Sequence, residues 1–277
     1  YDNLCELLEG DVVMQTPAYG GKFRIDPRSH LFKRTLLTGS YEPHLVEYCK
    51  AFAELGGSFL DIGTNVGFFS VLMAKQPAIE KVLSVEPIEA TLVRLKENIE
   101  TNGVRDKVIL FEGALLAEPG TVEFQIPVGN EEFASQGKMG HAALETISDL
   151  EYRTQQVPAT TLDLLVEQHN LQPGLIKVDT EGTEHLVFRG GMNTLRSHHP
   201  AIIAELNDKQ LTDNGSSARE VMQAIGECGY TAYDTDTLDP SEAVHDYGEA
   251  LFLANDSPQQ QTVLQRLRSQ RQIRDKT

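Results

Sequence analysis

A chain of 277 residues with 24 Lys and Arg against 41 Asp and Glu carries a formal charge of −17, with 40% hydrophobic and 23% charged residues. These proportions describe a globular chain able to bury a sizeable core, and they exclude collagen-like, coiled-coil and disordered classes. The acidity, with no basic stripe interleaved with aromatics, leads us to expect no nucleic-acid partner and no attraction to anionic membranes. Cys5, Cys49 and Cys228 lack CxxC spacing. Buried reduced thiols and a cytoplasmic setting are therefore expected, not a disulfide framework or a thiolate zinc site. No apolar run reaches the roughly 20 residues of a membrane span, so no membrane insertion is expected. The sequence opens on Tyr1, not Met, which leaves a removed leader open.

In chain order, residues 1–55 end in a predicted helix carrying Leu45, Cys49 and Phe52 at i, i+4, i+7. They are expected to cap the C-terminal edge of a sheet, where ligands of open α/β sheets bind. Residues 58–62 and 81–86 are short apolar runs that predict buried strands. Phe69, Leu72 and Met73 between them mark a helix face, as do Ile88, Leu92, Leu95 and Ile99 before the Asn102-Gly103 stop signal. Residues 107–111 predict a third strand, which makes the first half of a doubly wound parallel sheet. Residues 121–126 predict an extra strand that pairs with 155–157. The aperiodic stretch 127–153 between them is either an inserted lid or a surface excursion. A helix opening at Thr161-Leu162, a strand over 175–179, a helix over 186–195 and a strand over 201–206 resume the alternation. Ser217 and Glu220 form a capping box that starts a further helix. Residues 229–234 and 250–254 predict a closing strand pair. The domain thus spans 56–256, and 257–277 is a polar, helix-prone tail.

The central motif is Asp61-Ile62-Gly63-Thr64-Asn65-Val66-Gly67, a strand running into a glycine loop and then a helix. Gly63 and Gly67 allow tight turning and close backbone approach. Counted from Gly63, the second and third glycine places of a dinucleotide fingerprint are Asn65 and Phe68, so a pyrophosphate fits poorly. Asp61 at the strand end and an amide at mid-loop suit a cationic, zwitterionic ligand. The plainer reading is a β-α turn with convenient glycines. Glu86 in Val85-Glu86-Pro87 lies 19 residues after Gly67. A carboxylate there is placed to accept both hydroxyls of a ribose, although alone it would be a solvated strand-end charge. At the end of the third strand, Glu112, Gly113 and Ala114 are candidates to meet an adenine edge.

Together with Tyr41-Glu42-Pro43, Thr160-Thr161-Leu162-Asp163 and Ile176-Lys177-Val178-Asp179-Thr180-Glu181-Gly182-Thr183-Glu184, these motifs resemble the FkbM-type S-adenosylmethionine-dependent methyltransferases over about residues 38–254. The resemblance implies a class I methyltransferase fold, a Rossmann-like seven-stranded doubly wound sheet, to which our reading of the chain adds the N-terminal cap and the inserted lid. It implies S-adenosyl-L-methionine as cofactor and O-methylation of a hydroxyl on a small molecule, sugar, glycoside or natural product. Glu42, Asp61, Gly63, Thr64, Asn65, Gly67, Glu86, Pro87, Glu112, Gly113 and Ala114 are then the cofactor-binding candidates. Asp179, at the end of strand four, faces the methyl group and is the candidate to take the hydroxyl proton. Glu181 shares that task or binds the acceptor, and Lys177, two residues earlier, shares a face with Asp179 and can pair with it. His185 departs from the family pattern and is either an acceptor contact or a solvent-facing helix residue; His141 in the lid has the same standing. His198 and His199 complement a helix dipole. No metal site is assigned; Mg²⁺ on Asp179, Glu205 and Asn207 is the unfavoured alternative. The rival functions are an N-methyltransferase, whose Asn/Asp-Pro-Pro-aromatic turn is not what Asp179-Thr180-Glu181-Gly182 offers, and a non-catalytic nucleoside-binding protein.

Overall fold

The computed structural model describes residues 10–127, 151–242 and 248–274. A hairpin of β1 (Val12–Thr16) and β2 (Gly21–Ile25) leads through α1 (His30–Thr38) and α2 (Pro43–Ala53) into β3 (Gly57–Ile62), α3 (Phe68–Ala74), β4 (Ile79–Val85), α4 (Glu89–Thr101) and β5 (Val108–Phe111). Next come β6 (Ala114–Leu115), β7 (Gly120–Pro127) and β8 (Tyr152–Thr160), then α5 (Leu162–Gln168), β9 (Pro173–Val178), α6 (Glu184–Arg189), α7 (Met192–His198) and β10 (Ala201–Leu206). The chain closes with α8 (Asp208–Asp213), α9 (Ala218–Gly226), β11 (Tyr230–Asp234), β12 (Gly248–Ala254) and α10 (Pro258–Arg274).

The central sheet has seven strands in the order β11-β12-β10-β9-β3-β4-β5. All neighbours are parallel except β12, which runs antiparallel to β10 and β11. Apolar residues alternate between two helical layers. Phe59, Val82, Leu175 and Ile203 pack under α2, α3, α4 and α10, whereas Leu60, Leu83, Ile176 and Ile202 pack under α5 to α9. Burial on both faces is why these strands read as unbroken apolar runs. The order, with its reversed penultimate strand, is that of a class I methyltransferase sheet. Among the described residues no helix is long and apolar enough to cross a membrane.

Two local expectations need correction. The helix expected over 186–195 is two helices, because Gly190 and Gly191 lie against neighbouring chain. A Cβ on Gly190 would sit 2.2 Å from Leu116 O, and one on Gly191 2.6 Å from Leu162 Cδ2. Of the segment expected to cap the sheet edge, His30, Leu31, Tyr41 and Glu42 reach the cavity there. The hairpin instead lies on α3 and α4, held by Asn98, which accepts from Arg24 N at 2.6 Å and donates to Arg24 O and Val66 O. The helix-prone tail forms α10, which buries Val263, Leu264 and Leu267 against α2 and β12. The lid candidate, His141 included, falls mostly on 128–150 and lies outside the described residues, flanked by the long β7–β8 pairing.

Candidate functional site

Strand register gathers the acids at the C-terminal end of the sheet. Asp61 is in register with Ser84 on β4 and Lys177 on β9, and Lys177 with Ile203 on β10. Two residues further along, Glu86, Gly63, Asp179 and Glu205 form the next row on the same face, and Glu205 is in register with Glu249 on β12. Carboxylates therefore span the sheet end, interrupted by one residue without a side chain. Gly63 (φ +80°) must stay bare, because a Cβ would lie 1.8 Å from Asp179 O.

One buried cation balances this row from below. Lys177 is 4% exposed, with Nζ 2.8 Å from Asp179 Oδ2 and 5.1 Å over the Phe69 ring. Burial pulls an ammonium down, but Asp179, Glu42 and Asp61 outweigh it and hold Lys177 well above its ordinary value. Burial raises Asp61, partly offset by Lys177 and by the Ser70 and Thr64 hydroxyls, which donate to its Oδ2 at 2.6 Å. Burial likewise pushes Glu42 and Glu205 well above the carboxylate range, with neighbouring acids adding to it. A proton on Glu205 favours its hydrogen bond with Asp179.

The cavity over the row encloses about 1080 Å³, its open mouth included. Asp61, Gly63, Thr64, Asn65, Glu86, Pro87, Gly113 and Ala114 line one side, Asp179 and Glu181 the other, with Tyr41 and Glu42 across the top. Glu86 Oε2 accepts from Asn65 N at 3.0 Å and Oε1 from Ile88 N at 3.0 Å. Each oxygen keeps a second lone pair, so vicinal ribose hydroxyls can be accepted side by side. Asn65 reaches Glu86 by adopting φ +51°, a left-handed conformation that asparagine tolerates. Burial raises Glu86 to about 7, with the two backbone N–H groups opposing. Glu42 Oε2 is sealed from solvent with no hydrogen-bond partner among the described residues. Bare Gly63, an acceptor pair at Glu86 and an orphaned carboxyl at Glu42 all fit a nucleoside with a charged amino-acid tail.

The turn after β9 is held by a residue that we had not assigned. Glu184 is 1% exposed, and its Oε1 accepts from Thr180 N, Thr180 Oγ1 and Gly182 N at 2.8, 3.0 and 3.2 Å. This fixes the position of Glu181 (φ +54°), whose Oε2 accepts from Gln210 Nε2 at 2.5 Å. Among the described residues, Asp179, Glu181 and Glu205 bring carboxylate oxygens within 4.8 Å of one another, a set that could hold a cation. Asn207 Oδ1 caps α8 by accepting from Gln210 N.

Three candidates lie outside the cavity wall. Gly67 (φ +90°) starts α3, where a Cβ would meet Leu95 Cδ1 at 2.6 Å. Glu112 turns outward to Lys96 at 2.7 Å, both side chains about half exposed. His185 sits on α6; burial, aided by Arg189, lowers its pKa, and Nδ1 is buried without a partner among the described residues. Conversely, Leu31, Tyr41 and Phe124 line the cavity without a sequence signal beyond the Tyr41-Glu42-Pro43 step.

The fold and this cavity define a class I methyltransferase. The chain belongs to the family described as Methyltransferase FkbM domain, whose profile matches residues 61–232, and it is an S-adenosylmethionine-dependent methyltransferase. A relative in Haloferax volcanii, "Hexuronic acid methyltransferase AglP", is 24% identical over 220 residues, 76% of this chain and 82% of that protein. "Ribosomal protein L11 methyltransferase" of Desulforamulus reducens is 38% identical over 71 residues, 26% of this chain and only 23% of the relative. Solved structures that it resembles include methyltransferase FkbM from Methylobacillus flagellatus KT, with 14% identity, 72% of this chain and 43% of that one covered, and a TM-score of 0.45. An O-methyltransferase from Bacillus cereus in complex with SAH has 16% identity, coverage of 76% and 81%, and a TM-score of 0.41.

Proposed function

We propose that this enzyme methylates a hydroxyl of a small molecule, sugar or natural product, with Asp179 as the group that orients the hydroxyl and takes its proton. The observation that carries the reading is the position of Asp179. It stands beside Glu86 across the bare Gly63 and opens into the same cavity, paired with Lys177 from below. The similarity to a hexuronic acid methyltransferase supports a sugar or sugar-acid acceptor.

When bound, S-adenosylmethionine supplies an electrophilic methyl on a sulfonium centre. Glu86 accepts the ribose hydroxyls, and Gly113 and Ala114 offer backbone to the adenine edge. Asp61, Thr64 and Asn65 shape the loop around the amino-acid end. A weak base would be enough, because a hydroxyl oxygen becomes strongly acidic as it is alkylated. Asp179, held by Lys177 at Oδ2, would accept that proton. Glu181 contacts the acceptor, and most of the acceleration comes from alignment in a cleft shielded from water.

The test is a screen for S-adenosylhomocysteine release over alcohols, sugars and amines, followed by Asp179→Asn. The variant should keep S-adenosylhomocysteine affinity and slow transfer by about 100-fold or more. Parental turnover in Asp179→Asn removes Asp179 from the mechanism, and transfer confined to amines removes the hydroxyl acceptor.

A further inference from the structure

His30, Tyr41 and Glu42 are a shared wall. Behind them lies a second chamber of about 980 Å³, its mouth included, over the far end of the carboxylate row. Glu205 and Glu249 form its floor, and α1 and α2 lean Arg34 and His44 over it. His44 Nε2 is bound to Glu249 Oε2, so among the described residues Nδ1 is left for a ligand. The Arg34 guanidinium has neither a hydrogen bond nor an ion pair among the described residues.

Of the acids that line the chamber, Glu249 has a cationic partner and Asp234 has backbone donors. Glu249 is matched by His44, whose pKa is raised first by that bond; burial opposes this, and Asp236 adds to it while Arg271 subtracts. Burial raises Glu42 and Glu205 well above the ordinary carboxylate value, so each holds a proton more tightly than a free carboxyl. Asp234 Oδ1 accepts from Asp236 N and Thr237 N at 3.0 and 2.7 Å. Arg271 brings a second cation behind the wall, donating to Thr235 O at 2.7 Å and to Asp236 O. On the rim stands the Arg34 guanidinium, with the Asp236 side chain also in the lining. A guanidinium takes a carboxylate in a two-pronged bond. A His–Glu pair takes and gives hydrogen bonds to hydroxyls.

We propose that this second chamber seats the methyl acceptor and that the acceptor is an acidic sugar, its carboxylate on Arg34 and its ring hydroxyls on the His44–Glu249 pair. The assignment rests on the methyl-transfer reading for the word acceptor but not for the binding itself. The shared wall places such a ring next to Asp179, with its reacting hydroxyl toward the cofactor cavity.

The experiment uses the full chain saturated with S-adenosylhomocysteine and titrates D-glucuronate, D-glucose, D-glucosamine and acetate by calorimetry, with the His44 ring followed by NMR. D-glucuronate should bind about tenfold or more tighter than D-glucose and shift the His44 resonances. Arg34→Gln should erase that preference, and His44→Asn should weaken both sugars. Both variants should hold S-adenosylhomocysteine within about threefold of the parent, which controls for misfolding. The proposal is overturned by absent glucuronate binding, by a preference for glucosamine, by acetate binding as well as glucuronate, or by an Arg34→Gln protein that keeps the preference. Glucuronate bound in the chamber with no methyl transfer to any acceptor refutes the methyl-transfer reading and leaves this site standing. Transfer to D-glucuronate at parental rate in Arg34→Gln does the reverse.

Discussion

Removing the Glu86 carboxylate tests the cofactor site where its geometry is most explicit. In the structure each oxygen of Glu86 accepts one backbone N–H at 3.0 Å, from Asn65 and Ile88, and each has one lone pair left for a ribose hydroxyl. Glu86→Ala removes two charge-assisted bonds at a site that is 5% exposed. Such a loss should cost about 2 to 4 kcal/mol, or roughly 30- to 1000-fold in S-adenosylhomocysteine affinity. The substitution also strips the acceptors from Asn65 N and Ile88 N, so melting temperature must be recorded beside calorimetry to separate loop loosening from lost contacts. Burial adds a signature in pH. Glu86 ionises at about 7 without ligand, and accepting two hydroxyls favours the carboxylate. Affinity should therefore be flat above that pH and fall by up to about tenfold per unit below it. Glu86→Ala should lose that slope as well as the affinity. A variant that binds S-adenosylhomocysteine within about threefold of the parent at pH 8 would refute the ribose assignment.

Two other outcomes follow from the geometry. Dialysis of the parent against EDTA should leave methyl transfer unchanged, because Lys177 already answers the Asp179 charge; loss of activity restored by Mg²⁺ would instead make Asp179, Glu181 and Glu205 a metal centre. Asn98→Ala should destabilise the fold by about 2 to 4 kcal/mol, since it orphans Arg24 N and O and Val66 O around a side chain that is 1% exposed. Urea unfolding that shifts by less than about 0.5 kcal/mol would show that the hairpin is not tied to the glycine loop through this residue.

Local chemistry in the sequence was enough to determine the alternation of elements. Strands buried on both faces must be apolar runs, and 58–62, 81–86 and 201–206 are such runs. Gly63 and Asn65 were legible because a positive φ restricts residue choice, and Glu86 because its distance from the glycine loop is set by one helix and one strand. The Lys177–Asp179 pairing was legible because alternate residues of a strand share a face. What lay beyond the sequence depends on register and on helix rotation, which are settled by packing between distant segments. Lys177 meets Asp61 and Glu42 only because β3 and β9 are neighbours and α2 begins above them. Gly190 and Gly191 break a helix only because Leu116 and Leu162 come within reach. Glu184 looks like one acid in a charged run until burial turns its oxygen onto the Thr180–Gly182 turn. Glu112 and His185 carry the right chemistry at nearly the right place in the chain. Each faces away from the cavity, because a residue's direction is set by the element it sits on and by what that element packs against.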